Sequence, residues 1–244
     1  MDKSKQFQDE VSARIESYAD DEEFKKLAYE WMRLSMQKRY VYNFTWLGRP
    51  IIQSPQDVVA MQEIIWDVKP DLIVETGIAH GGSLMLWASM LEVIGGRGKV
   101  VGIDVEIREH NRLEIEKHPM FKRIELIEGS SVSDETLRQV REIAKDYTKI
   151  MVVLDSDHTH DHVKKELELY SDLVAVGSYL IAFDTFIEDM PPGFFPDRAW
   201  NVGNNPKTAV EEFLEKNTAF AVDRSIENKL MVTQAPGGYL KRIK

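Results

Sequence analysis

The strongest constraint on the fold is a rhythm in the middle of the chain. Five short apolar runs, at 72–75, 99–104, 123–127, 150–155 and 179–184, alternate with stretches of helical character at 82–93, 109–117, 133–145 and 162–170. The runs are largely continuous Val, Ile and Leu, the mark of strands buried on both faces. Strands separated by helices pair in parallel, and right-handed crossovers make them a doubly wound α/β sheet of Rossmann-like type. After a further helix at 207–215 come two strand-like runs, 219–223 and 230–234, with six residues between them. So short a link fits an antiparallel pair rather than a crossover. The expectation is a mostly parallel seven-stranded sheet with an antiparallel C-terminal edge pair.

The first 40 residues read as two helices. Phe7, Val11 and Ile15 mark the first; Phe24, Leu27, Trp31 and Leu34 mark the second, after the acidic break Asp20-Asp21-Glu22-Glu23. At this spacing they predict an amphipathic hairpin packed on a core. Trp46-Leu47-Gly48-Arg49-Pro50 is too irregular to be regular structure throughout, and Ser54-Pro55 starts a helix with Val58, Met61, Ile64 and Ile65 on its apolar side. No repeat and no Gly/Ser-rich or Pro-rich linker interrupts the chain. The division is therefore an N-terminal helical extension, 1–50, and a main domain, 51–244.

Composition excludes several classes of function. With 31 basic against 41 acidic side chains, the net charge is −10, which argues against a nucleic-acid surface. Cysteine is absent, which removes disulfides, thiolate zinc sites and cysteine nucleophiles. The opening Met1-Asp2-Lys3-Ser4-Lys5-Gln6 has no apolar run behind it, and no stretch reaches membrane-spanning length without charges. The expectation is a cytoplasmic protein acting on a small molecule. Its aromatic N-terminal hairpin is a candidate surface for self-association into a homo-oligomer.

Candidate chemistry gathers at the strand ends, where open α/β sheets bind ligands. The first strand runs into Glu75-Thr76-Gly77-Ile78-Ala79-His80-Gly81-Gly82-Ser83. Its glycines let the backbone approach a ligand, and the next helix begins there. The spacing is not GxGxxG, and no Lys-Ser/Thr pair makes it a P-loop. Asp104 closes the second strand, where a carboxylate can accept both hydroxyls of a ribose; helix capping is the alternative. Ser130 and Ser131, after the third strand, offer hydroxyls where an adenine edge could lie.

The fourth strand ends in Leu154-Asp155-Ser156-Asp157-His158-Thr159-His160-Asp161-His162 and the fifth in Phe183-Asp184-Thr185. Asp155 and Asp184 on neighbouring strands can share a hard cation such as Mg²⁺. His158 can act as a general base on the same rim. An iron site from His158, His160 and Asp155 is the alternative. Residues 185–206 form a long connection with Phe194, Phe195 and Trp200, fit either to cover a substrate or to fold over a small core of its own.

These motifs carry a resemblance. Glu75-x-Gly77-x-x-x-Gly81-x-Ser83, Asp104, Asp155-x-x-His158 and Asp184 resemble class I S-adenosylmethionine (SAM)-dependent methyltransferases of the metal-dependent O-methyltransferase type. The stretch Leu154 through Val163, Gly177-Ser178-Tyr179-Leu180-Ile181 and Gly203-Asn204-Asn205-Pro206-Lys207-Thr208-Ala209-Val210 are similar to the family named for cephalosporin hydroxylase and rhamnosyl O-methyltransferase. The likeness runs from about residue 40 to the end. It implies a seven-stranded SAM fold with the last strand antiparallel. It places Glu75, Gly77, Gly81, Ser83 and Asp104 around SAM, with Ser130 and Ser131 near the adenine. It makes Asp155 and Asp184 Mg²⁺ ligands and puts His158 where catechol-type enzymes carry a lysine base. Relatives carry a second acidic or amide group beside Asp184; this chain has Phe183 and Thr185 there.

The function expected is Mg²⁺-assisted transfer of the SAM methyl group to a hydroxyl of a small polar acceptor such as a sugar, glycoside or other natural product. Two alternatives stand beside it. One is an iron/2-oxoglutarate hydroxylase, as the family name suggests, although that chemistry usually belongs to an all-β fold. The other is a SAM-binding module without catalysis.

Overall fold

A computed structural model describes residues 3–244. Two helices open the chain, α1 (Lys3–Tyr18) and α2 (Glu22–Gln37), and Asp21 caps the second by accepting from the Phe24 N–H at 2.9 Å. Their packing differs from the expected hairpin on a core. Helix α1 has no fully buried residue, and α2 buries Ala28, Met32 and Ser35, whereas Phe24, Leu27, Trp31 and Leu34 face outward. The contact face is the one with the smaller side chains, because Met32 fits against Phe186, Ile187 and Met190 of the long connection. A two-stranded hairpin follows, β1 (Phe44–Trp46) and β2 (Arg49–Ile51), in the stretch read as too irregular to be regular structure throughout. Gly48, at φ +86°, makes its turn. The Trp46 Nε1–H donates to Ser89 Oγ at 3.0 Å and fastens the hairpin to the domain.

From there the alternation holds: α3 (Pro55–Val68), β3 (Leu72–Thr76), α4 (Gly82–Ile94), β4 (Lys99–Asp104), α5 (Glu109–Glu116), β5 (Ile124–Glu128), α6 (Asp134–Ala144), β6 (Ile150–Leu154), α7 (His160–Tyr170), β7 (Tyr179–Ala182), α8 (Pro206–Lys216), β8 (Phe220–Val222), α9 (Arg224–Leu230) and β9 (Tyr239–Arg242). Seven of these strands make one sheet in the order β5-β4-β3-β6-β7-β9-β8. The first five are parallel; β9 runs antiparallel to both β7 and β8. One face packs on α3 and α4 around Met61, Ile65 and Trp87, the other on α6, α7 and α8 around Val140, Leu167 and Val210. This sheet is not the all-β fold that a 2-oxoglutarate hydroxylase would require.

The edge pair is antiparallel, but its second strand is not 230–234. Leu230 ends α9, and the strand is β9. The polar groups of 233–234 are claimed elsewhere. Gln234 N–H donates to Asp57 Oδ2 at 2.8 Å, and Thr233 Oγ1 bonds Asp57 Oδ1. Tyr239 OH donates to Asp57 Oδ1 at 2.7 Å, and Ser54 Oγ donates to Asp57 Oδ2 at 2.5 Å. Asp57 is fully buried, and its burial raises its pKa despite these bonds. It ties α3 to the C-terminal segment.

The sheet order reverses between β3 and β6. Their carboxyl ends therefore part around a crevice, the usual ligand position in such sheets.

Candidate active site

A cavity of about 920 Å³ opens at that crevice, large enough for a nucleoside and a second small molecule. Gly77, Ser83, Asp104, Ser130 and Ser131 line it, as do Asp155, His158 and Asp184. Thus eight of the ten expected site residues meet at one wall system. Gly81 and Glu75 do not line it.

The loop after β3 is shaped by close approach. Gly77 has φ +82°, and a Cβ on it would stand 2.0 Å from the Asp155 carbonyl oxygen. Only glycine lets the β3 and β6 ends come this near. Asp104 fixes the same loop: Oδ2 accepts from the Ile78 N–H at 3.0 Å, and Oδ1 accepts from the Glu106 N–H at 3.2 Å. A carboxylate with lone pairs to spare still faces the cavity. Glu75 lies behind the wall, fully buried, with neither carboxylate oxygen hydrogen-bonded. Burial pushes its pKa up to about 8, and the charge of Asp104 adds to the effect; nearby Ser83 and Trp87 pull the other way without satisfying it.

Asp155, His158 and Asp184 offer ligand atoms all within 4.8 Å of one another. His158 Nε2 lies 3.1 Å from Asp184 Oδ2, and the His158 ring meets the Trp200 ring edge-on at 5.4 Å between centroids. Burial and then the charge of Asp184 hold the Asp155 carboxyl well above its ordinary range. Like charges converging with too few donors are what a divalent cation relieves, so the donor set fits one. Asp184 sits at φ +58°, an uncommon conformation for a residue other than glycine, which aims its carboxylate at the pair. Its neighbours add no oxygen. Phe183 is packed in the core against Tyr239, and buried Thr185 donates Oγ1 to the Pro236 carbonyl at 3.0 Å.

The histidine cluster divides into three directions. His160 Nδ1 meets Thr208 Oγ1 at 2.8 Å and its Nε2 meets Glu212 at 3.1 Å, in the α7–α8 seam. It is not part of the cavity wall, which removes the iron triad. His162 does line the cavity, with Nε2 at 3.1 Å from Ser131 Oγ, 3.2 Å from Ser156 Oγ and 3.4 Å from buried Glu166. Glu166 raises the His162 pKa. The long connection both covers and packs: Phe194, Phe195 and Trp200 line the cavity and stack edge-on among themselves.

Sequence reasoning missed Gln53, Gln234, Arg39 and Tyr42 in this wall. Gln234 Nε2 donates to Asp184 Oδ1 at 3.3 Å, and its Oε1 accepts from the Ser54 N–H at 2.6 Å. No local pattern signals a contact spanning most of the domain.

Comparison with known proteins identifies the family. The family model described as "Rhamnosyl O-methyltransferase/CmcI" matches residues 38–243. The rhamnosyl O-methyltransferase of Mycobacterium tuberculosis is 31% identical over 205 residues, covering 81% of this chain and 78% of that protein. The one from Mycobacterium leprae is 29% identical over 208 residues, covering 83% and 85%. Among solved structures, CmcI with Mg and SAM has a TM-score of 0.59 at 20% identity, covering 83% of this chain and 78% of that one. An O-methyltransferase from Bacillus cereus in complex with SAH has a TM-score of 0.52 at 18% identity, covering 79% and 81%. The fold is that of these methyltransferases, and the chain belongs to the rhamnosyl O-methyltransferase/CmcI family.

Proposed function

We propose that this protein transfers the methyl group of SAM to a hydroxyl oxygen of a sugar or glycoside, with a divalent cation, Mg²⁺ by its oxygen donors, held at Asp155 and Asp184. The convergence of Asp155, His158 and Asp184 within 4.8 Å at the mouth of a nucleoside-sized cavity carries the reading. Gly77, Ser83 and Asp104 would hold the donor, with Ser130 and Ser131 at its purine end. The rhamnosyl O-methyltransferase relatives favour a sugar acceptor.

SAM supplies a methyl group on a positively charged sulfur, and the cation supplies charge that acidifies the acceptor hydroxyl. The chain does the rest. His158 gives its Nε2–H to Asp184, which leaves Nδ1 free as the base. At Nδ1, His158 would take the proton of the acceptor hydroxyl, freeing its oxygen to accept the methyl group that SAM would supply. Asp184 would stabilise the imidazolium, and the Trp200 ring packs edge-on against the imidazole. Phe194, Phe195 and Trp200 exclude water and offer flat faces to a sugar ring.

Calorimetric titration with SAH tests the donor site. Binding in the micromolar range that weakens roughly tenfold or more in Asp104→Ala is expected, by the loss of hydrogen bonds to a charged group. No binding at millimolar SAH would refute the reading. The non-catalytic alternative predicts SAH binding with no turnover on any hydroxyl acceptor.

A further inference from the structure

One side chain in the cavity wall has chemistry that the reading above leaves unused. Gln53 is 2% exposed, lines the cavity, and has a hydrogen-bond partner on neither Nε2 nor Oε1. Buried amides are nearly always paired, because an unpaired donor or acceptor gives up water without compensation. An amide open on both atoms at a ligand cavity points to a partner that arrives with the ligand.

Its surroundings indicate which part of the ligand. The backbone just before Gln53 crosses the start of α4, where a Cβ on Gly82 would lie 2.1 Å from the Pro50 carbonyl oxygen. That start presents free N–H groups and a positive dipole end, and Ser83 beside it faces the cavity. The residue just after, Ser54, donates its N–H to Gln234, which donates in turn to Asp184. Gln53 therefore stands between an anion-favouring helix end and the carboxylate rim of Asp155 and Asp184, which favours a cation. Asp104, Ser130 and Ser131 belong to the β4 and β5 ends, whereas Gln53 belongs to the segment leading into α3.

We propose that Gln53 binds the zwitterionic α-amino-acid group of the methyl donor: Oε1 accepts from the α-ammonium and Nε2 donates to the α-carboxylate. The assignment rests on the reading of SAM as the donor. One planar group with an acceptor at one corner and two donors at the other matches an ammonium and a carboxylate carried on one carbon. In the bound state both orphaned atoms of Gln53 are satisfied and the donor's charged end is fixed, which sets where its methyl group points.

The test compares two ligands on one variant. SAH carries the amino-acid group; 5′-methylthioadenosine keeps the adenosine and the thioether and lacks it. In Gln53→Met, which is close in volume, SAH affinity by calorimetry is expected to fall about tenfold or more while 5′-methylthioadenosine affinity changes less than about twofold. The ligand-free variant is expected to melt at or above the wild-type temperature, because an unpaired buried amide has gone. Gln53→Glu, which keeps an acceptor but repels the carboxylate, should show the same split. Unchanged SAH binding, equal losses for both ligands, or a lowered ligand-free melting temperature would each overturn the assignment, the last two by showing a structural role. Wild-type protein that binds 5′-methylthioadenosine as tightly as SAH would refute Gln53 alone. Wild-type protein that binds neither refutes the SAM reading and the assignment with it.

Discussion

At the scale of single residues, charge placement separates function from stability. Asp184 and Asp155 repel one another across the rim, and Asp184 holds a positive φ. Asn accepts that backbone conformation and carries no charge. Asp184→Asn should therefore lower kcat on the order of 100-fold or more by loss of a cation ligand and of the His158 partner, while leaving the ligand-free protein as stable as before or more so. A clear fall in its melting temperature would show that Asp184 is structural. Glu75 gives a pH prediction. The folded protein keeps it protonated up to about pH 8, whereas the unfolded chain ionises it near 4.5. A raised folded-state pKa means stability present in full below the unfolded value and lost as pH rises through the folded one. Wild type should lose roughly 3–5 kcal/mol between about pH 4.5 and 8 from this group, as an upper estimate, and Glu75→Gln should lose none of that. Denaturant titrations at several pH values check it; parallel curves for the two proteins would contradict it. The residues at strand ends were readable in advance because the end of an apolar run fixes where a side chain emerges. Gln53, Gln234 and Asp57 were not, because their roles come from contacts such as Ser54 to Gln234 that no local spacing encodes.

At the scale of elements, the β3–β6 approach is the most exacting feature. Gly77→Ala must force a Cβ into the Asp155 carbonyl at a positive φ, whereas Gly177, at φ +84°, has open space around it. Both substitutions bear the cost of the backbone conformation, about 1 kcal/mol, and Gly77→Ala should cost about 2–4 kcal/mol more from the clash. A melting comparison of the two reads this directly, and equal shifts would contradict the close approach. Elements also show where patterning misleads. Residues 230–234 read as a strand by composition, yet a buried Asp57 captures their donors, and β9 takes the sheet position with only Tyr239 and Leu240 buried. Helix α2 displays a regular apolar stripe that faces out, because spacing reports amphipathicity but not which surface is covered. The parallel strands carried no such ambiguity: buried on both faces, β3, β6 and β7 needed no choice of side.

At the scale of the whole molecule, the sheet order explains why residues more than a hundred positions apart lie together. Reversal between β3 and β6 brings the Gly77 loop, Asp104, Asp155 and Asp184 to one crevice, and the long connection from 185 to 206 closes over it. No described helix is long and apolar enough to cross a membrane. The family likeness spans nearly all of the domain. At the rim, Phe183 fills the core and His158 pairs with Asp184. The account stands on methyl transfer at that rim. The decisive measurement supplies methyl-labelled SAM and Mg²⁺ with a panel of rhamnosides and other glycosides, to wild type and to Asp155→Asn in parallel. The account predicts a labelled methyl ether from wild type, lost on addition of a chelator and reduced about 100-fold or more in the variant. No labelled product from any glycoside with SAM bound, or undiminished product in Asp155→Asn, would contradict it.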